Sequence, residues 1–332
     1  MNSQNSRPGE FELIERYFAP LAGPGGLGLL DDAGLLRPGR GYEVVVTADA
    51  LVAGVHFFPD DPPAAIGWKA LAVNLSDLAA KGAKPEGFVL TLALPRDWTE
   101  DWLKDFAAGL GKLAGQAGCP LIGGDTVSTA GPLTLSITAL GTVPAGRMVR
   151  RSGAKPGDVV LVSGAIGDGA LGLKVHGPGK PGWVAVLDEE QRGFLAGRYL
   201  HPQPRTALAD ILQRHASAAM DISDGLIGDL AKLVKASGVG AEIDLDVVPL
   251  SAPARAALMA DPALAELAWT GGDDYEILCT APEGEHLALV SAAAERGVPL
   301  TPIGRILPEA GAVHYIGEGG AQVFAHGSFS HF

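Results

Sequence analysis

The sequence predicts an α/β (α+β) protein of two domains, on three observations. Runs with strand alternation and runs with helical spacing follow one another along nearly the whole chain. The 332 residues suffice for roughly two domains of ordinary size. A cluster of basic residues and turn formers, GRMVRRSGAKPGD from Gly146, interrupts the pattern near the middle. The boundary is placed there, giving domains 1–147 and 148–332. An apolar share of 47% with 19% charged residues supports sizeable cores and excludes a disordered chain.

The elements follow in order. FELIERYFAPL sets Phe11, Ile14, Tyr17, Phe18 and Leu21 at helical spacing, so an amphipathic helix is expected. A Gly-rich loop, GPGGLGLLDDAG, leads to a strand over 43–47 that ends in Ala48-Asp49. A helix is expected over about 63–80, with Ile66, Ala70, Val73 and Leu78 along one side. GFVLTLAL is a strand, 99–117 a helix, CPLIGGDT a short strand running into a turn, and LTLSITALGTV a closing strand. The second half resumes with the strand DVVLVSG, then helices around 168–175, 186–198 and 205–215. After AAMDISDG come a helix over 225–236, strands at AEIDLDV and YEILCTA, a helix over 283–296, the strand TPIGRI and a Gly-rich tail.

Lys and Arg total 25 against 38 Asp and Glu, a net charge of −13, which argues against nucleic acid or an anionic membrane as partner. MNSQNSRPGE has no apolar core, so no signal peptide is expected. The charge-free stretch 126–146 is rich in Thr, Ser, Gly and Pro and alternates through LTLSITAL, which reads as a strand and not a membrane span. Cys119 and Cys279 lie far apart, which excludes a disulfide framework; both are expected to be packing residues, and a reducing cytoplasm is the expected compartment.

The excess acid is unevenly placed. Asp31, Asp32, Asp49, Asp77, Asp125, Asp221, Asp224, Asp273 and Asp274 sit among Gly, Ser, Thr and small residues, several of them after apolar strand-like runs. Any one alone reads first as a helix N-cap. As a set they read differently, because ordinary caps do not require two Asp side by side or two Asp three apart in DISDG. Close carboxylates repel unless something positive neutralises them, and short oxygen donors suit magnesium, which keeps waters and phosphate oxygens in its shell. The expectation is a magnesium–nucleotide site. GxxxxGK[ST] is absent, and Gly23–Gly28 matches GxGxxG without a preceding strand, so it reads as a structural loop. Arg147, Arg150 and Arg151 are candidates for direct neutralisation of phosphate. His56, in LVAGVHFF, is either a core or edge residue satisfied by backbone or a phosphate-holding imidazole. No zinc spacing, kinase signature or GxSxG elbow occurs.

The motifs GEFELIERYF, LLDDAGLL, TADALVAGVHF, WKALAVNLSDLAAKGAKP, LIGGDT, RSGAKPGD, MDISDGLIGDL, GGDDYEIL and SFSHF occur in this order from Gly9 to Phe332. Together they resemble the thiamine-monophosphate kinase family, within the PurM-like ATP-binding superfamily. That resemblance implies an N-terminal α/β domain with a mainly β core, a C-terminal α/β domain, and a homodimer joined through the N-terminal halves. It implies transfer of the ATP γ-phosphoryl group to thiamine monophosphate, giving thiamine diphosphate and ADP. Carried over residue by residue, Asp32, Thr47, Asp49, Asp77, Asp125, Asp221 and Asp224 resemble the family's magnesium ligands. Gly124, Arg151 and Ser223 resemble its ATP contacts, and His56, Asp273 and Phe329 its substrate contacts.

Within that resemblance Asp125, Arg151 and Asp224 are expected to carry the transfer. Because the acceptor phosphate is already ionised, no general base is assigned. The chain departs from the family pattern at Leu30, where a glycine is common, and at Ala48, where a hydroxyl is usual. It departs again at Asp273, usually Glu, and at Phe329, which lacks a hydroxyl or indole nitrogen. Two rival readings are another PurM-like reaction and a non-catalytic magnesium–nucleotide binding protein of the same fold.

Overall fold

The computed structural model describes residues 8–317 and 319–324. The chain divides into two compact units, residues 1–75 with 85–144 and residues 76–84 with 145–332.

The first unit is built on a four-stranded sheet of β1 (Tyr42–Val52), β2 (Lys84–Pro95), β3 (Leu121–Thr129) and β4 (Thr134–Pro144), in the order β1-β4-β2-β3. β1 and β4 are antiparallel, with Asp49 opposite Ile137, while β2 and β3 are parallel, with Leu90 opposite Gly124. A parallel pair needs a crossover, and α3 (Glu100–Ala117) supplies it. Thr99 caps α3 by accepting from the Trp102 N–H, Glu100 and Asp101 favour its positive end, and Gly118 closes it with a left-handed φ of 61°. Its buried face, Leu103, Phe106, Leu110 and Leu113, follows the helical repeat. α2 (Pro63–Ala80) meets it at glycines: a Cβ on Gly109 would lie 1.9 Å from the Ala64 carbonyl oxygen, and one on Gly67 2.2 Å from that of Phe106.

Three expectations for this unit are corrected. The N-terminal segment is helical but not a regular α-helix: α1 (Glu10–Leu13) runs into a π-turn, Ile14–Phe18, and a 3₁₀ turn, Ala19–Leu21. The wider π repeat turns Leu13 and Phe18 inward, five residues apart, and leaves Phe11 85% exposed. β1 does not end at Asp49; its pairing continues to Val52 opposite Thr134, because Val45 and Leu51 share one buried face along its length. Nor does β3 turn at Asp125, since it follows β2 as far as Thr129 opposite Pro95.

The second unit carries β5 (Val159–Ser163), β6 (Ala218–Ile222), β7 (Gly240–Asp244), β8 (Glu276–Ala281), β9 (Leu300–Leu307), β10 (Val313–Gly317) and β11 (Gly320–Gln322). They form one sheet in the order β11-β10-β7-β9-β5-β8-β6. Strands β5, β8 and the edge strand β6 are buried on both faces and divide their side chains by parity. Val160, Val162, Met220, Ile222 and Leu278 join one core with Leu226 and Leu230 of α7 (Leu226–Ser237). Leu161, Ala219, Ile277 and Cys279 join a second core with Ile211 of α6 (Ala209–His215) and Leu289 of α10 (His286–Glu295). A third core gathers α4 (Asp168–His176), α5 (Glu189–Leu200) and α8 (Ala252–Ala260) around Leu171, Val175, Leu195 and Ala254.

α8, capped by Ser251, and α9 (Leu264–Thr270) were not expected, because Ala-rich segments carry little hydrophobic contrast. The strand expected at AEIDLDV stops at Asp244, whose carboxylate accepts the Asp246 N–H and turns the chain into 3₁₀. The tail forms a hairpin of β10 and β11. Both cysteines are fully buried, and burial pushes both thiols up to about 12, as packing residues require. No helix among the described residues is long and apolar enough to cross a membrane.

The close approach of α2 and α3 makes Gly109 and Gly115 an internal control. Gly109→Ala is expected to lose about 1–3 kcal/mol through backbone displacement. Gly115→Ala meets nothing within 4 Å and is expected to gain up to about 1 kcal/mol. Urea unfolding of both variants measures the contrast.

Candidate active site

In the first unit, strand alternation places the candidate ligands. Thr47 and Asp49 lie two apart on β1, half-buried, on the same side as the buried Val45 and Leu51. Ala48 lies on the opposite, exposed side, so the side chain at this position faces away from Thr47 and Asp49. Gly124 and Asp125 lie on β3, and Gly124 is required because a Cβ there would stand 2.2 Å from the Leu90 carbonyl oxygen. A cavity of about 110 Å³ brings Asp31, Asp32, Gly124 and Asp125 together below an apolar wall of Ile14, Phe18 and Leu29. The GxGxxG segment reaches this wall as 3₁₀ turns, Pro24–Leu29, and not as the open loop expected. Gly23 N–H donates to the Leu121 carbonyl at 3.0 Å, and a Cβ on Gly25 would lie 2.3 Å from the Leu35 carbonyl oxygen. His56 is half-buried and its Nδ1 accepts the Val52 N–H at 3.0 Å, which leaves the ring proton on Nε2 as a donor.

The second unit holds the other set. Asp77, on the last turn of α2, and Asp221, on β6, influence each other electrostatically. Burial raises the Asp221 carboxyl well above the carboxylate range, and the charge of Asp77 raises it further. Lys81 stands in the same field: its Nζ donates to the Ala219 carbonyl at 2.7 Å, and burial, then the Arg151 guanidinium, pull it down to about 8. Arg151 is therefore joined to this cluster through Lys81, with its carbonyl held by Ser237 Oγ at 2.7 Å. Arg147 instead donates to the Gln213 carbonyl.

Ser223 and Asp224 follow β6 in a loop fixed from two sides. Asp229, buried in the first turn of α7, accepts the N–H groups of Ser223 and Asp224 on one carboxylate oxygen at 3.0 and 2.9 Å. From the other side, Asp273 and Tyr275 donate their N–H groups to the carbonyls of Ser223 and Ile222, each at 2.8 Å. The loops touch closely enough that a Cβ on Gly272 would lie 2.3 Å from the Ser223 carbonyl oxygen and one on Gly225 2.6 Å from Thr270 backbone.

Asp273 takes a left-handed φ of 65° and Tyr275 one of 52°. Asp tolerates that conformation better than Glu, which gives the shorter side chain at 273 a backbone rationale. Asp274, between them, is buried and accepts the N–H groups of Gly167 and Gly169 at 2.8 and 2.9 Å, at the start of α4. Glu276, fully buried, receives Arg198 at 2.9 Å and Arg205 on both oxygens.

The donor chemistry fits magnesium in kind. The ligand candidates offer carboxylate and hydroxyl oxygens, and the desolvated Asp221 stands in the field of the half-buried Asp77, like charges that a divalent ion would neutralise. In the same turn of α2, Asn74 Oδ1 is buried with no hydrogen-bond partner, and the buried Ser76 hydroxyl opposes the rise of Asp221 by hydrogen bonding. Among the described residues no group of three His, Cys, Asp or Glu stands ready-made at metal-binding spacing.

Comparison with known proteins places the chain. The AIR synthase related protein models match residues 30–143 with the N-terminal domain and 155–317 with the C-terminal domain. Thiamine-monophosphate kinase of Caulobacter vibrioides is 43% identical over 314 residues, covering 93% of this chain and 87% of that protein. This chain belongs to the thiamine-monophosphate kinase family. The crystal structure of the family member from Stenotrophomonas maltophilia superimposes with a TM-score of 0.80 at 42% identity, over 89% of this chain and 91% of that one. AaThiL complexed with AMPPCP and TMP has a TM-score of 0.74 at 29% identity, over 93% of this chain and 97% of that one.

Set against this family, the described residues contain every candidate ligand except Phe329, which lies outside them. Asp32 joins Gly124 and Asp125 at the first unit's cavity, and Asp77, Asp221 and Arg151 share one electrostatic field in the second. Lys81, Asp229 and Glu276 lie inside the sequence motifs without a role read from the sequence, and Lys232 lies outside them. Asp229 carried a signal, an acid in the first turn of a helix that follows a loop with two Asp.

Asp168, whose Oδ1 accepts from Ser251 at 2.6 Å, offers a pH test. Burial pushes it up to about 6, against the opposing hydrogen bond. A folded value above the unfolded one means that its contribution to stability is full below about pH 4 and is lost as pH rises through about 6. Asp168→Asn keeps the acceptor and removes the titration. Its stability relative to the parent chain is expected to rise between pH 4 and 6 in urea unfolding; a constant difference would refute the assignment.

Proposed function

We propose that the chain transfers the γ-phosphoryl group of ATP to the phosphate of thiamine monophosphate, giving thiamine diphosphate and ADP. The observation that carries this reading is the buried Asp221 in the field of the half-buried Asp77, like charges that call for a divalent ion, in a member of this family. Magnesium, when bound, supplies neutralisation of the donor's phosphoryl oxygens. In the first unit Asp32, Thr47, Asp49 and Asp125 are the residues that would hold magnesium, and in the second unit Asp77, Asp221 and Asp224.

The remaining roles belong to the chain. Gly124, with no side chain, lets a nucleotide phosphate approach β3, and Ser223 presents its hydroxyl from the fixed loop. Arg151 places a permanent positive charge on the transferring group. His56 donates from Nε2 to the acceptor's phosphate, and Asp273 contacts the acceptor from a backbone held by Ser223 and Asp274. Phe329 is assigned to the acceptor's rings on resemblance. The acceptor oxygen is ionised at neutral pH, so no residue removes a proton, and catalysis rests on orientation and charge.

Tyr42, Val44 and Val46 form an exposed apolar row on β1, an edge strand, which supports a homodimer joined through the first units. The domains 1–147 and 148–332 then divide the work, with pairing and part of the magnesium–nucleotide set in the first. The absence of a disulfide framework supports a cytoplasmic location.

Incubation with Mg-ATP and thiamine monophosphate, with separation of thiamine diphosphate, tests the activity. Asp77→Asn is expected to lower transfer at least about a thousandfold, with an unfolding temperature equal to or above that of the parent, because it relieves the like charge on Asp221. Full activity in this variant would sink the metal assignment, and absence of product with ATP bound would favour the non-catalytic alternative.

A further inference from the structure

Lys232 lies on α7, three residues beyond Asp229, and its ammonium bridges two carboxylates. It donates to Asp229 Oδ1 at 2.8 Å and to Asp224 Oδ2. The two acids are not equivalent. Asp229 is buried, and its other oxygen is committed to the N–H groups of Ser223 and Asp224, so it serves the backbone of the loop. Asp224 is partly exposed, with 36% of its side chain accessible, and among the described contacts its carboxylate has Lys232 as its cationic partner. One ammonium therefore ties the free-standing acid of the loop to the fixed one.

We propose that Lys232 is a positioning residue and the resident counter-cation of Asp224. It holds that carboxylate in place and passes wholly to Asp229 when Asp224 turns to a divalent ion. The geometry makes the exchange inexpensive, because the ammonium keeps Asp229 Oδ1 after it leaves Asp224, and because 40% of the Lys232 side chain is already accessible to water. The loop backbone stays anchored throughout, since it hangs on the oxygen of Asp229 that Lys232 does not use. Lys232 thus spares Asp224 from standing unpaired before metal arrives, at the cost of competing for it. This inference rests on the reading of Asp224 as a magnesium ligand.

Competition and mere surface pairing differ in the sign of one measurement. With a non-hydrolysable ATP analogue present, Mn²⁺ is titrated into the full chain and free Mn²⁺ is followed by electron paramagnetic resonance. Lys232→Met is expected to bind Mn²⁺ about twofold to fivefold more tightly, the range for loss of a partly exposed ion pair. Lys232→Arg is expected to restore the parent affinity, and Asp224→Asn to weaken binding. Thermal unfolding is expected to show Lys232→Met less stable than the parent without metal, with the gap narrowing as Mn²⁺ is added. Unchanged or weaker binding by Lys232→Met, while Asp224→Asn weakens it, would overturn the role of Lys232 alone. Unchanged binding by Asp224→Asn would overturn the ligand reading of Asp224 and this inference with it.

Discussion

Two backbone carbonyls, those of Ile222 and Ser223, hold the chemistry of the second unit together. They accept the N–H groups of Tyr275 and Asp273, and so extend the antiparallel pairing of β6 with β8 beyond the last paired residues, Ile222 and Glu276. Extending it through irregular backbone needs unusual conformations. Gly225 and Gly272 supply two of them, and Asp273 and Tyr275 adopt left-handed φ values that a free chain would avoid. The surroundings over-determine the result. Asp274 ties the second loop to the start of α4, Glu276 ties the head of β8 to Arg198 and Arg205, and Asp229 ties the first loop to α7. A residue assigned to metal, Asp224, and one assigned to the acceptor, Asp273, thereby belong to one braced piece. Orientation of this kind is what a reaction between two anionic phosphates needs most.

The first unit reaches a similar end by a simpler device. The period of a strand separates the two sides of β1, so one row of residues can be inward and oxygen-bearing while the other is outward and apolar. Thr47 and Asp49 fall in the first row; Val44, Val46 and Ala48 fall in the second. The Ala48 departure from the family pattern is thereby reduced to a change on the outward row, where its side chain cannot reach the face that carries Asp49. Gly124 on β3 owes its identity to the Leu90 backbone, so a residue assigned to ATP is also one that packing dictates.

Much of this was legible from residue patterns. The α2 and α3 helices, the β5 strand and the alternating α/β order follow from apolar spacing. What was not legible came from tertiary context. The π-turn at Ile14–Phe18 answers to packing of Leu13 and Phe18, which local spacing does not announce. Asp49 and Asp125 looked like strand ends because acids and glycines usually end strands, yet pairing with β4 and β2 carries both strands past them. α8 and α9 lack hydrophobic contrast in their alanine-rich sequences. At the site, the residue types of the ligands were readable, while the braces were not, since Asp274 looks like a further ligand until its partners are seen.

That last confusion explains what the excess acid is for. A buried carboxylate must be answered, and the fold answers some with its own groups. Asp274 has two backbone N–H groups, Glu276 two guanidinium groups and Ser163 Oγ, and Asp229 two N–H groups and Lys232. These acids are structural, and their charge is spent within the chain. Asp221 differs: burial and the charge of Asp77 raise it, and only the Ser76 hydroxyl and a lysine whose own charge is disfavoured by burial and by Arg151 oppose that rise. Within one unit the acidic motifs thus separate into those whose charge the protein's own donors meet and Asp221, whose strongest charged neighbour is another acid. The satisfied acids hold in place the backbone that carries Asp224 and Asp273, so the fold spends one set of charges to fix the position of another.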